Sequence, residues 1–172
     1  IDKDGDLDAF VGNSTGDISF FRNTGTITNP VFAAPQTNPF GLSGGNPTFV
    51  DIDKDGDQDV FTGADATAFY RNDGTANNPQ FVYGSSYPFN LPSPTARTDV
   101  TNQTFVDIDG DGDLDLIFGG GYFSQNTGTA KNPVFDGSVA PLPGITPAGF
   151  YSTPTFVDID GDGDLDLFVQ RD

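Results

Sequence analysis

The chain has no cysteine, no histidine, no methionine, no tryptophan and, among its 25 acidic residues, no glutamate: every acid is an aspartate. Without cysteine no disulfide can staple the fold and no thiol chemistry is available, although this does not identify a compartment. Without cysteine or histidine a zinc site has no suitable ligands. General acid–base catalysis prefers groups tuned near neutral pH, and His, Cys and Glu are all missing. Asp17, Asp65, Asp73, Asp99 and Asp136 stand apart with no visible pairing, so the chain is not expected to be an enzyme. Positive charge is scarce as well. Seven Lys and Arg against 25 Asp leave a net charge of -18, which makes nucleic acid a poor partner and sets an anionic membrane against the surface. No apolar run approaches the length of a membrane span, and no signal peptide is visible. Since methionine is absent even at position 1, the chain is expected to be a piece of something longer.

What is present is highly ordered along the sequence. Residues 107–115 read DIDGDGDLD, five carboxylates on alternating positions with glycine inside. The same pattern runs over 158–166 as DIDGDGDLD and over 51–59 as DIDKDGDQD, and the chain opens inside another copy, IDKDGDLD. So many like charges in a short loop repel one another unless something neutralises them. A hard divalent cation does so.

Each copy reads D-x-D-x-D-G-x-x-D. Asp107, Asp109 and Asp111 take positions 1, 3 and 5, Gly112 position 6, Asp113 position 7 and Asp115 position 9. Calcium takes six to eight oxygens at about 2.3–2.6 Å, and a curled loop of carboxylates with a backbone carbonyl at position 7 supplies them. Gly56, Gly112 and Gly163 allow the sharp turn, and Gly5 matches them. Magnesium dehydrates reluctantly and seldom fills an all-protein cage, so calcium, about one ion per loop, is the expected cofactor. An EF-hand would need glutamate at position 12, where Thr62, Phe118 and Val169 stand. Tandem nonapeptide rolls are excluded because the loops lie roughly fifty residues apart. In the first copy Asp2, Asp4, Asp6 and Asp8 form an incomplete set, whose missing ligand must come from upstream sequence, another chain or water.

Around the loops the chain repeats a grammar of short strands. Repeats are placed at 1–50, 51–106, 107–157 and, in part, 158–172. Strands are expected over 7–11, 18–22, 60–63, 68–72, 116–120 and 165–169, with TFVD before three of the loops and a short apolar strand closing each N-x-G-T-x-x-N-P turn, as at Val31-Phe32. That turn is read as structural, its Asn and Gly accepting left-handed backbone angles. Segments such as DLFV and DLIF are apolar at consecutive positions, as in sheets covered on both faces. A period near fifty residues with four short strands marks an all-β chain of β-propeller-type blades, about three and a partial one. The 17 Phe and 5 Tyr are then core, and they argue against disorder.

The stretch TFVDIDGDGDLDLFV, with its loop between two apolar strands, resembles the FG-GAP and VCBS repeats of integrin α-subunit propellers, once per period over essentially the whole chain. The resemblance implies structural calcium held by Asp51, Asp53, Asp55, Asp57 and Asp59; by Asp107, Asp109, Asp111, Asp113 and Asp115; and by Asp158, Asp160, Asp162, Asp164 and Asp166. Asp57, Asp113 and Asp164 would act through their carbonyl oxygens. Propellers of this kind close with about seven blades, within a general range of about four to eight, so three need more sequence, more chains or an open array.

The expected function is a calcium-stabilised, non-enzymatic module of a secreted or cell-surface protein, in adhesion or in an extracellular assembly or fibre. Its partners would be a protein or glycan outside the cell and further copies joined through open ends. The alternative is a carbohydrate-binding propeller using Tyr83, Tyr87, Phe89 and Tyr151. Asn13 and Asn102 stand in glycosylation sequons.

Overall fold

The computed structural model describes residues 1, 3–63, 67–92, 103–147 and 153–169. Asp2, Asp65, Asp99, Asn102 and Tyr151 lie outside them. The described chain is all-β, built from antiparallel sheets with short 3-10 turns and no α-helix among these residues. By contacts it divides into one unit of Ile1–Asp51 with Asp55–Ser86 and a second of Ile52–Lys54 with Tyr87–Asp172.

In the first unit, β1 (Ala9–Gly12), β2 (Ile18–Phe21) and β3 (Gln36–Thr37) form a three-stranded sheet in that order. Then β4 (Thr48–Val50), β5 (Asp59–Gly63), β6 (Thr67–Asn72) and β7 (Phe81–Ser86) make a four-stranded meander. Ile18 and Leu42 pack with Val60 and Tyr70, flanked by Phe10, Phe49 and Phe81. Rings at the seam lie close: Phe10 is 4.6 Å from Phe49 and 4.7 Å from Phe20, centroid to centroid. Such contacts add about 0.5–1.5 kcal/mol each beyond burial, so aromatic residues dominate this core.

The second unit repeats the meander with β8 (Gln103–Val106), β9 (Asp115–Phe118), β10 (Tyr122–Ser124) and β11 (Ala140–Pro141), and adds the pair β12 (Thr155–Val157) and β13 (Asp166–Phe168). Val106, Ile117 and Leu142 form its core, with Phe156 and Leu167 of the two-stranded sheet packed against them. All residues of β9 (DLIF) are buried, as the consecutive apolar positions predict for a strand covered on both faces, and β5 is buried likewise; in β13 (DLF) Asp166 and Phe168 are exposed, so that expectation fails there.

Three strand expectations differ from the structure, one of them in the third repeat, where Val134-Phe135 is no strand but a single bridge from Phe135 to Asn126. The strand expected over 116–120 ends at Phe118, where Gly119–Gly121 turns with Gly120 at φ +81°. Val31-Phe32 is no strand but a single bridge from Phe32 to Asn23; the third strand comes later, at Gln36–Thr37. Pro30 has no N–H, and the Val31 amide is taken by the Asn23 side chain, so neither can donate to a ladder.

Candidate metal centres

Three of the acidic loops join a short TFV strand to the strand that follows, between β4 and β5, β8 and β9, and β12 and β13. The loops are wound by their own carboxylates. The first aspartate clamps the curl: Asp107 accepts from the Gly110 and Gly112 amides at 2.8 and 2.9 Å, and Asp158 from Gly161 and Gly163 at 2.7 and 3.1 Å. Asp51 accepts from Asp55 and Gly56, both at 3.1 Å. The later aspartates repeat a shorter turn, each taking the amide two residues on, as Asp109 takes Asp111, Asp111 takes Asp113, Asp55 takes Asp57, Asp162 takes Asp164 and Asp4 takes Asp6. These bonds hold the carboxylates in place before any ion arrives.

Gly5, Gly56, Gly112 and Gly163 have φ of +104°, +102°, +93° and +96°, a region that side chains rarely adopt. This backbone turn brings the first three aspartates of a loop together. Asp51, Asp53 and Asp55 each offer an oxygen, all within 4.8 Å of one another, as do Asp107, Asp109 and Asp111, and Asp158, Asp160 and Asp162. Two oxygens on opposite sides of one calcium ion are about 4.6–5.2 Å apart, so the triads fit such an ion. The donor set is oxygen alone, which suits a hard cation. Like charges at these separations repel by about 4 kcal/mol per pair at an effective dielectric of 20.

The position-7 aspartates differ in setting. Asp113 is buried at 6% exposure while Asp164 is exposed, and Asp6 and Asp57 are half-buried. No hydrogen bond reaches Asp113 Oδ1. Burial raises the pKa of the Asp113 carboxyl, and repulsion from Asp111, Asp109 and Asp107 adds to it. The Lys54 ammonium donates to the Gly112 carbonyl, and Gln125 Nε2 donates to Asp109 Oδ2 at 2.8 Å.

The position-9 aspartates face backward. Asp115 Oδ1 accepts the Asn126 amide at 2.8 Å and its Oδ2 the Ile108 amide at 3.3 Å. Asp59 takes the Asn72 amide and Asp8 the Asn23 amide, each at 2.8 Å, while Asp166 Oδ2 takes Ile159 at 3.2 Å. Burial raises the Asp115 pKa, opposed by the two amide bonds, with Asp109 and Asp113 pushing it further up. The structure therefore brings positions 1, 3 and 5 to one point and gives position 9 a bracing role within the fold.

Sequence reasoning missed the partners of that brace. Asn23, Asn72 and Asn126 are buried, and each side-chain oxygen accepts two amides across the turn: Gly25 and Val31, Gly74 and Gln80, Gly128 and Val134. The recurrence of N-x-G-T-x-x-N-P was the available signal. Beside the first two loops lies a cavity of about 460 Å³, lined by Lys3, Asp6, Gly56, Asp57, Asn72 and Pro79 among others. Asn13 is exposed, its Oδ1 accepting from Thr15 N and Oγ1 and from Asp17 N.

Tandem antiparallel sheets, each beginning around an acidic loop that curls on its own carboxylates, define a class: an all-β repeat protein of propeller-like blades. The model of the FG-GAP-like repeat matches residues 1–62 and 51–118, and the chain belongs to that family. None of the curated proteins compared with the chain matches it. No helix among the described residues is long and apolar enough to cross a membrane.

Proposed function

We propose that the chain is a calcium-stabilised, non-enzymatic repeat module of a secreted or cell-surface protein, serving adhesion or an extracellular assembly. The observation that supports calcium is the convergence of three carboxylate oxygens within 4.8 Å in three separate loops. Ion binding to a cage that the unfolded chain cannot present stabilises the fold by mass action, about 2.7 kcal/mol per site at a hundredfold excess over Kd. High extracellular calcium would keep such loops filled.

Self-association is part of this reading. Residues 104–116 and 155–167 are identical in sequence, yet Val106 is 8% exposed and Val157 41%. Phe168, at 50%, pairs across from Thr155, on the sheet face that also carries Val157. The reading takes a second copy of the chain, presenting the sheet that carries Val11, as the occupant of this face. Tyr83 packs edge-on to Tyr70 at 5.6 Å yet is 55% exposed, so it is the residue on which the carbohydrate-binding alternative would rest.

The test is thermal unfolding of the whole chain in calcium, in magnesium and in chelator, with sedimentation under the same conditions. A melting point raised by calcium well above the magnesium value supports the reading, and particles larger than one chain that dissolve on chelation support the assembly. Identical melting in calcium and chelator would sink it.

A further inference from the structure

Position 4 of the acidic loops, between the aspartates of positions 3 and 5, is Lys3, Lys54, Gly110 and Gly161 in the four copies. The backbone there is left-handed every time, with φ of +55°, +54°, +75° and +77°. Glycine adopts that region freely and lysine does not, so two of the loops carry a side chain where the backbone disfavours one. Such strain points to a use for the side chain. For Lys54 the use is visible. Its ammonium donates to the carbonyl of Gly112, the position-6 glycine of the third loop, and Ile52–Lys54 belongs by contacts to the same unit as that loop. The Gly112–Asp113 peptide is thereby held at both ends, its carbonyl by Lys54 and its N–H by Asp111 Oδ1 at 3.0 Å, while the Gly112 amide is held by Asp107 Oδ2 at 2.9 Å. Lys3 lines a cavity together with Gly56 and Asp57, which take positions 6 and 7 of the second loop. The fourth loop follows a loop whose position 4 is Gly110, which has no side chain to send forward.

At its other end Lys54 stands between Asp53 and Asp55, two of the three aspartates whose oxygens converge in the second loop. Ile52, at 3% exposure, anchors the same segment. We propose that Lys54 couples these two ion sites: calcium in the second loop fixes the backbone on either side of Lys54, and with it the ammonium that steadies the curl of the third loop, so that the third loop binds calcium more tightly when the second is filled. The inference rests on the calcium reading above and adds a direction to it, from one loop to the next. By linkage the effect is reciprocal, and calcium in the third loop tightens the second by the same factor. A single exposed hydrogen bond supports a coupling of about threefold to tenfold.

The experiment is a calcium titration of the whole chain followed by NMR, reading the Gly56, Gly112 and Gly163 amides for the second, third and fourth loops. Four chains form a double-mutant cycle: wild type, Asp53→Asn, Lys54→Met and the two changes together. Asp53→Asn removes a carboxylate from the second loop, and the Gly56 midpoint confirms that this loop is weakened. With Lys54 in place it should also move the Gly112 midpoint to about threefold higher calcium or more, leaving Gly163 where it was. In the Lys54→Met background the Gly112 midpoint should no longer answer to Asp53→Asn. Lys54→Gly is the second removal of the ammonium should the methionine chain misfold, since Gly110 and Gly161 show that the loop curls with glycine at position 4. A Gly112 midpoint that Asp53→Asn moves equally with and without the lysine, or does not move at all while the wild type titrates, overturns the coupling and leaves calcium standing. Absence of any titration in the wild type overturns both.

Discussion

The Asp115 carboxylate accepts the Asn126 amide at 2.8 Å, and both residues are almost wholly buried, at 1% and 2% exposure. The bond links the end of an acidic loop to the start of the turn that closes the next hairpin. Asp59 with Asn72 and Asp8 with Asn23 repeat it at the same length. In the second and third loops one end thus meets the ion site and the other meets the turn, so whatever orders the loop also orders the hairpin behind it.

Replacing Asn126 by alanine should therefore cost more than a surface change. Its Oδ1 accepts the Gly128 and Val134 amides at 3.0 Å each, and truncation leaves both without that acceptor. Gly128 is half-buried and Val134 exposed, so the loss expected in urea unfolding of the calcium-loaded chain is that of ordinary hydrogen bonds, about 0.5–1.5 kcal/mol each. A loss under about 0.5 kcal/mol, typical of a surface substitution, would show that solvent takes over the amides.

The same turn admits no side chain at Gly128. A Cβ there would lie 2.4 Å from the Asn132 carbonyl oxygen and 2.6 Å from the Val134 nitrogen, and both are backbone atoms that cannot swing aside. Gly128→Ala is expected to destabilise by about 1–3 kcal/mol, as overpacking does, with the same effect at Gly74, where the distances are 2.4 and 2.7 Å. Equilibrium denaturation of the two variants measures this directly. Wild-type stability in either would mean that the turn opens at low cost.

The loops, their glycines and most strands could be read from the amino acids because the information is local: alternating aspartates, a period-fifty repeat and apolar runs between turn residues. Consecutive apolar positions in DLIF announced a strand covered on both faces, as β9 is, but the same reading of DLFV does not hold for β13, where Asp166 and Phe168 are exposed. The brace was not legible. The Asp and Asn that form it are 15, 13 and 11 residues apart in the three copies, so no fixed spacing marks the pair. For the same reason Val31-Phe32 read as a strand: nothing nearby shows that the Val31 amide is claimed by Asn23, eight residues earlier. The burial of Asp113 against the exposure of Asp164 was equally hidden, since their loops have the same sequence.

Outside the loops, Asp17 gives the chain a separate response to acid. The Asn38 amide group donates to it at 2.9 Å and the Thr15 hydroxyl at 3.2 Å, and these bonds, Asn38 foremost, hold its pKa below the usual carboxylate value against a small effect of desolvation. With the folded pKa depressed, the ionised form is favoured in the native state. Its stabilisation is present above the unfolded pKa, about 3.9, and is lost as pH falls through the folded value. In chelator, Asp17→Asn should be less stable than wild type at pH 7, and the two should converge as the pH is lowered below about 4. A gap that stays constant with pH would remove ionisation of Asp17 as the cause.

The third and fourth loops offer the cleanest separation of sequence from setting. Both read DIDGDGDLD, and both curl on the first aspartate, Asp107 or Asp158, through the same two glycine amides. Their ninth aspartates diverge. Asp115 is braced from two sides, by Asn126 and Ile108, whereas Asp166 is exposed and, among the described residues, receives only the Ile159 amide. Local opening is easiest where few buried contacts must be broken. Hydrogen exchange in calcium should therefore protect the Asn126 and Ile108 amides far longer than Ile159. Chelation should release all three, because the empty triads then push their loops apart. Equal protection of Ile108 and Ile159 in calcium would mean that the ion alone rigidifies the loop and that the brace to Asn126 contributes nothing to its closure.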